Sequence, residues 1–193
     1  MNIAILKPAS GKIFQLYWIL LLWLTSMVSN ADQSDQRLDQ LFELLSNIDN
    51  PATIRATENR IWEIWLEHPN DDLEQLMKIG TQRMNSQLYP EALLIFNQIV
   101  VNFPDYAEGW NKRATLYYLV GSFEESLSDI EQVLTLEPRH FGALSGMGLV
   151  YLQQKELLKA KQAFEALISV HPYSANAQEN LRLVTEQLLM DII

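Results

Sequence analysis

From about residue 35 onward, apolar residues recur along this chain at three- and four-residue steps. Leu93, Phe96 and Val100 form one such stripe, and Leu127, Ile130 and Leu134 form another. That spacing places each set on one face of a helix. Upstream, Leu38, Leu41, Leu44, Leu45 and Ile48 make a stripe, followed by Ile54, Ile61, Trp62, Ile64 and Trp65. Downstream, Ala177, Leu181, Val184 and Leu188 make the last. No segment sustains a two-residue alternation, so no sheet is expected. The pattern predicts nine helices, over about 35–48, 51–67, 71–84, 89–102, 106–119, 123–136, 140–153, 157–170 and 174–190.

The breaks between stripes are regular. Pro69, Pro104, Pro138 and Pro172 stand 35, 34 and 34 residues apart. A fixed period in this range marks a repeat of helix pairs. Reading back from Pro104 gives Phe96, Ala92 and Gly80, and from Pro172 Phe164, Ala160 and Gly148 at the same offsets. The middle interval has Ile130, Ser126 and Ala114 in those columns. Small residues let two antiparallel helices approach closely, and large ones fill the space beyond the crossing. Proline ends the second helix of each pair. Gly121-Ser122 and the segment around Ser86–Pro90 mark turns inside pairs.

These columns resemble the tetratricopeptide repeat family over residues 73–172. The match is a small residue and an aromatic in the first helix, a small and a large residue in the second, and a closing proline. Arg83 stands in place of the first-helix aromatic in one unit, and Ile130 in place of the usual Phe in another. The resemblance implies an all-α, right-handed α-solenoid of stacked antiparallel helix pairs. Its units cover about 70–104, 105–138 and 139–172, and 173–193 supplies a C-terminal capping helix. Residues 32–69 read as a degenerate first unit or as an N-terminal capping pair. Short segments, Ala107–Leu119 and Glu137–Gly148, resemble small exported proteobacterial members of the family.

Composition narrows the partners. The 193-residue chain carries a formal charge of -10 and no cysteine. That balance argues against nucleic acid, whose phosphates are bound by clustered Lys and Arg, and against an anionic membrane surface. Lys7 and Lys12 precede an uncharged apolar run at 13–24, and Ser29-Asn30-Ala31 supplies small residues before Asp32. This is the layout of a secretory signal over 1–31. The run is shorter than the roughly 20 residues a spanning helix needs. An uncleaved inner-membrane anchor is the alternative. Export, to a bacterial periplasm, is therefore expected. With no cysteine at the junction, lipoprotein anchoring is excluded.

Little in the chain has the form of a catalytic site. His68 and His171 each precede a repeat proline and read as helix C-terminal residues favourable to the dipole. His140 opens a helix without a second histidine one turn away, so no metal set is expected. Ser145-Gly146 lies inside a predicted helix, where a nucleophile elbow requires a strand before the serine. No cofactor and no enzymatic activity are expected.

One polar group stands out. Arg113 occupies a column filled by Ile79 and Met147 in the neighbouring units. A buried arginine needs a partner, and Asp129 is the candidate, with Glu108, Glu137 and Arg139 expected close by. The set reads as a structural ion pair, or else as a polar site on the concave face. The first helices line that face, and the candidate groove residues are Met77, Thr81, Met84, Asn111, Thr115, Tyr118, Ser145 and Leu149. In the family such a groove holds peptides or helices. Asn111-Lys112 matches one part of the family's carboxylate-gripping set, but Met77, Ser145 and Gly146 do not complete it. A surface of Met and Tyr favours a helix or an apolar peptide. The expected function is a non-catalytic adaptor for a protein partner. The alternatives are self-association of an envelope protein, with Trp62 and Trp65 as cap or dimer surface, and an enzyme centred on Arg113.

Overall fold

The computed structural model describes residues 35–68 and 70–191, and the expected signal segment and Pro69 lie outside them. The described residues form helices and their connections, with no strand. The helices are α1 (Gln36–Asn47), α2 (Pro51–Leu66), α3 (Asp71–Asn85), α4 (Tyr89–Asn102), α5 (Ala107–Leu119), α6 (Phe123–Leu136), α7 (Phe141–Gln153), α8 (Leu157–Val170) and α9 (Ala175–Met190). Local chemistry explains several starts. Asn50 accepts the amide N–H groups of Ala52 and Thr53, with Pro51 following it in the first turn. Asn70 accepts from the Leu73 amide, and Asp71, Asp72 and Glu74 complement the positive end of α3. Among the described residues no helix is long and apolar enough to cross a membrane.

Three hairpins, α3–α4, α5–α6 and α7–α8, stack in order and α9 covers the last. Each hairpin turns through one left-handed residue, at Gln87 (φ 61), Gly121 (φ 80) and Lys155 (φ 60). The backbone closes each turn identically. The Gln87 amide donates to Met84 O and Leu88 to Arg83 O. Gly121 donates to Tyr118 O and Ser122 to Tyr117 O, while Lys155 donates to Leu152 O and Glu156 to Tyr151 O. This is the paired C-terminal closure that favours glycine, yet only the middle unit has one.

The helix crossings are filled in a compensating way. A Cβ on Gly80 would lie 2.7 Å from Phe96 Cε1, and one on Gly148 would run into the Phe164 ring. The middle unit has Ala114 where the others have glycine and Ile130 where they have Phe. A methyl added on one helix is thus met by a smaller side chain on the other, as close packing requires. Ser126 completes that crossing by donating its hydroxyl to Ala114 O at 2.9 Å.

The N-terminal pair departs from a first unit stacked in series. α1 and α2 pack on each other, but α2 makes little packing against α3, its neighbour in sequence. It runs instead along the turns that join one hairpin to the next. Leu38, Phe42, Leu45, Ile54, Ile61, Ile64 and Trp65 belong to one buried cluster with Phe141, Leu144, Phe164, Ala177 and Val184. The physical reason is the aromatic stripe of α2, which finds its matching apolar surface at the start of α7.

Candidate functional site

The inner face of the stack is built by α3, α5 and α7. Its residues divide by burial. Met77 is buried beside Leu73 and Phe96, and Asn111 is buried with its amide donating to Glu108 Oε2 at 3.1 Å. Thr81, Met84, Tyr118, Ser145 and Leu149 are half-buried and Thr115 is exposed. Met77 and Asn111 are therefore not open to a ligand, contrary to the expectation from sequence. The other six form the accessible row.

The closed part is sealed by a buried polar pair. His140 and Glu108 are both fully buried, with Nε2 and Oε1 2.7 Å apart. His140 caps α7, where Nδ1 accepts the Ala143 amide at 3.0 Å. Nδ1 is therefore the acceptor, and the Nε2–H donates to Glu108. The ring is covered by Trp65, and Trp62 stands edge-on to it at 5.4 Å. A Cβ on Gly142 would come 2.8 Å from Trp62 Cη2. The two tryptophans thus face their own chain. Trp65 is fully buried, so it acts as a cap on the stack, and Trp62 is half-buried beside it.

Three successive turns meet α2 and the segment after it. The His68 ring lies 5.8 Å from Phe103 and 5.4 Å from Tyr106. Trp62 and Trp65 lie on His140 and Phe141. Glu58 Oε1 is 2.6 Å from His171 Nε2. The roles expected for two histidines are thereby corrected. His171 does end α8, but its ring is spent on Glu58. His68 accepts the Asn70 amide through Nδ1, and burial pushes its pKa below the usual histidine value, so it is poorly suited to act as a cation. The column just before the repeat prolines gives part of this row, since Phe103 meets His68 and His171 meets Glu58, while Glu137 in the same column holds Arg139.

The expected Arg113 cluster is three separate assemblies. Arg113 donates from Nε and Nη2 to the two Asp129 carboxylate oxygens, both at 2.7 Å, and from Nη1 to Asn97 Oδ1 at 2.8 Å. Its guanidinium also lies 5.0 Å from the Trp110 ring and 5.6 Å from Tyr117. The Asp129 hydrogen bonds raise the Arg113 pKa against its burial. Burial pushes the Asp129 carboxyl up, and Arg113 pulls against that rise. Glu137 and Arg139 belong elsewhere. Arg139 forks onto Glu137 at 3.0 and 3.1 Å, reaches Asp39 of α1 at 2.7 Å, and covers Phe42 at 4.5 Å. They fasten the N-terminal pair, and Glu108 serves His140.

Known proteins share this architecture. A tetratricopeptide repeat family model matches residues 107–140. A TPR repeat-containing protein of Rhizobium etli is 36% identical over 160 residues, which is 82% of this chain and 78% of that protein. Among solved structures, the first TPR of Spaghetti (RPAP3) bound to an HSP90 peptide superposes with a TM-score of 0.58 at 21% identity, covering 61% of this chain and 93% of that one. The Yersinia enterocolitica type III secretion chaperone SycD, in complex with a peptide of the translocator YopD, gives 0.58 at 14% identity, covering 61% and 95%. The structural likenesses show the fold. The Rhizobium likeness, which spans most of both chains, shows that this chain belongs to the tetratricopeptide repeat family.

Proposed function

We propose that this protein is a non-catalytic adaptor that works after export, in a bacterial periplasm, and holds a protein or peptide partner on the inner face of its helix stack. The observation that carries the reading is the accessible row of Thr81, Met84, Thr115, Tyr118, Ser145 and Leu149 on three consecutive first helices. Rigid helices present this mixed apolar and hydroxyl surface, which suits an apolar segment of a partner. Peptide-bound structures of the same fold, the Spaghetti and SycD complexes, add support by analogy. The charged groups speak against catalysis. Arg113 and Asp129 satisfy each other, and His140 and Glu108 are sealed from any substrate.

The test is photo-crosslinking in the native bacterium from an unnatural residue at Thr115 or Tyr118. The expected result is a discrete cross-linked partner in the periplasmic fraction. Cross-links from Thr115 and Tyr118 no stronger than those from an exposed control such as Thr135 would sink the groove reading. Recovery of the protein from the cytosol alone would sink the export reading.

A further inference from the structure

The outer face of α4 carries apolar residues that its sister helices lack. Val101 is 75% exposed and Leu94 71%, and no other large apolar side chain among the described residues is as open. The two stand seven residues apart, with Pro90 and Gln98 on the same side, all within about a quarter of the helix circumference. The equivalent columns are exposed on α6 and α8 as well, so the fold does not require apolar residues there. At the columns of Leu94 and Val101, α6 has Ser128 and Thr135, and α8 has Gln162 and Ser169.

Charge also sets this face apart. α4 carries one ionised side chain along its length, Glu91, whose carboxylate meets Arg83 of its own hairpin at 3.3 Å. α6 by contrast carries four carboxylates, and the exposed Leu183 of α9 stands beside the ion pairs of Arg182 with Glu179 and Glu186. A chain with a formal charge of -10 repels its own copies. Two copies therefore meet at least electrostatic cost where neither presents charge. The face is also complementary to itself. In an antiparallel pairing about a two-fold axis, Leu94 meets Val101 of the partner subunit. The Gln98 amides, each both donor and acceptor, then lie beside the axis.

We propose that the outer face of α4 is a docking surface for a second copy of this chain, α4 against α4. The helix has 14 residues and rises about 21 Å. A contact of that length is at the small end of specific interfaces, so the dimer is weak, with a dissociation constant on the order of tens of micromolar. α4 is the second helix of its hairpin, whereas α3, α5 and α7 build the inner face. Pairing through α4 therefore leaves the accessible row of each copy open. The dimer presents two such rows, which favours a partner that carries its segment more than once.

Sedimentation velocity of the purified protein, from about 5 to 200 µM to span that constant, tests the proposal. The expected result is a monomer–dimer equilibrium that tightens as salt rises, because screening removes the repulsion between acidic copies and leaves the apolar contact. Leu94→Lys together with Val101→Lys should raise the dissociation constant at least about tenfold. The helical signal and melting temperature should stay as in wild type, since both side chains are exposed within one copy. The chain has no cysteine, so Gln98→Cys reports on the axis directly. Oxidation by diamide should join two copies through it faster than through Gln132→Cys, the same column on α6. A wild type that stays monomeric at the upper concentration overturns the proposal, as do equal rates for the two cysteine variants. A dimer that survives the double lysine variant, or one that loosens with salt, places the interface elsewhere and also overturns it. So does a cross-linker at Leu94 that captures a different protein in place of a second copy. A partner cross-linked at Thr115 or Tyr118 stands whichever way the dimer behaves.

Discussion

The Trp65 indole lies flat on the His140 imidazole, with ring centroids 4.1 Å apart and planes 9° from parallel. Glu108 and the Ala143 amide hold the imidazole from its two nitrogens, which fixes the plane under the indole. This contact joins α2 to α7 across 75 residues of chain.

Trp65→Ala is expected to cost about 3 kcal/mol or more, the range for removing a fully buried aromatic. Urea unfolding followed by circular dichroism measures it. Trp110→Ala should cost less, because Trp110 is only half-buried and its indole N–H reaches the Pro104 carbonyl beside solvent. Equal costs would show that the Trp65 stack does not anchor the N-terminal pair.

Arg113→Ala leaves Asp129 buried without its fork. The expected loss is about 3 kcal/mol, as for a broken buried pair. Replacing both, Arg113→Met with Asp129→Leu, removes the charges together and should recover most of it. Thermal melts of the two variants decide. A single variant as stable as wild type, yet deficient in partner cross-linking, would move Arg113 from packing to binding.

Gln87 and Lys155 hold left-handed backbone without being glycine. Either residue changed to Gly should raise stability by about 0.5 kcal/mol, the strain relieved less the freedom gained by the unfolded chain. Gly121→Ala, at φ 80, should lower it by about 1 kcal/mol. Denaturant midpoints measure all three, and a destabilised Lys155→Gly would mean that the lysine side chain contributes more than its backbone strain costs.

His68 titrates below its ordinary value near 6.5 because burial disfavours the charged ring. The fold therefore holds the neutral form. Its contribution is fully present above that ordinary value and is lost as pH falls through the lower, folded value. The difference in unfolding midpoint between pH 7.5 and 5.5 should be larger in wild type than in His68→Gln, and equal differences would contradict this.

The sequence by itself determined the stack. Columns such as Gly80, Ala92, Phe96 and Pro104 record contacts between helices that adjoin in the chain, and contacts of that kind repeat at a fixed offset that can be read directly. Arg113 and Asp129 were legible for the same reason, because they face each other across one hairpin. The helix bounds followed from stripe period and caps, to within a residue or two. Only the tertiary structure decided where the N-terminal pair goes. Its anchors, Glu58 with His171 and Trp65 with His140, are 113 and 75 residues apart, occur once, and share no period. Tertiary packing likewise decided which groove residues stay open, burying Met77 against Leu73 and Phe96 and Asn111 beside Glu108, and leaving Thr115 and Tyr118 accessible. Local spacing encodes neighbours, whereas a helix laid across three turns is chosen by the surface that best buries its aromatic stripe, and that surface exists only once the stack has formed.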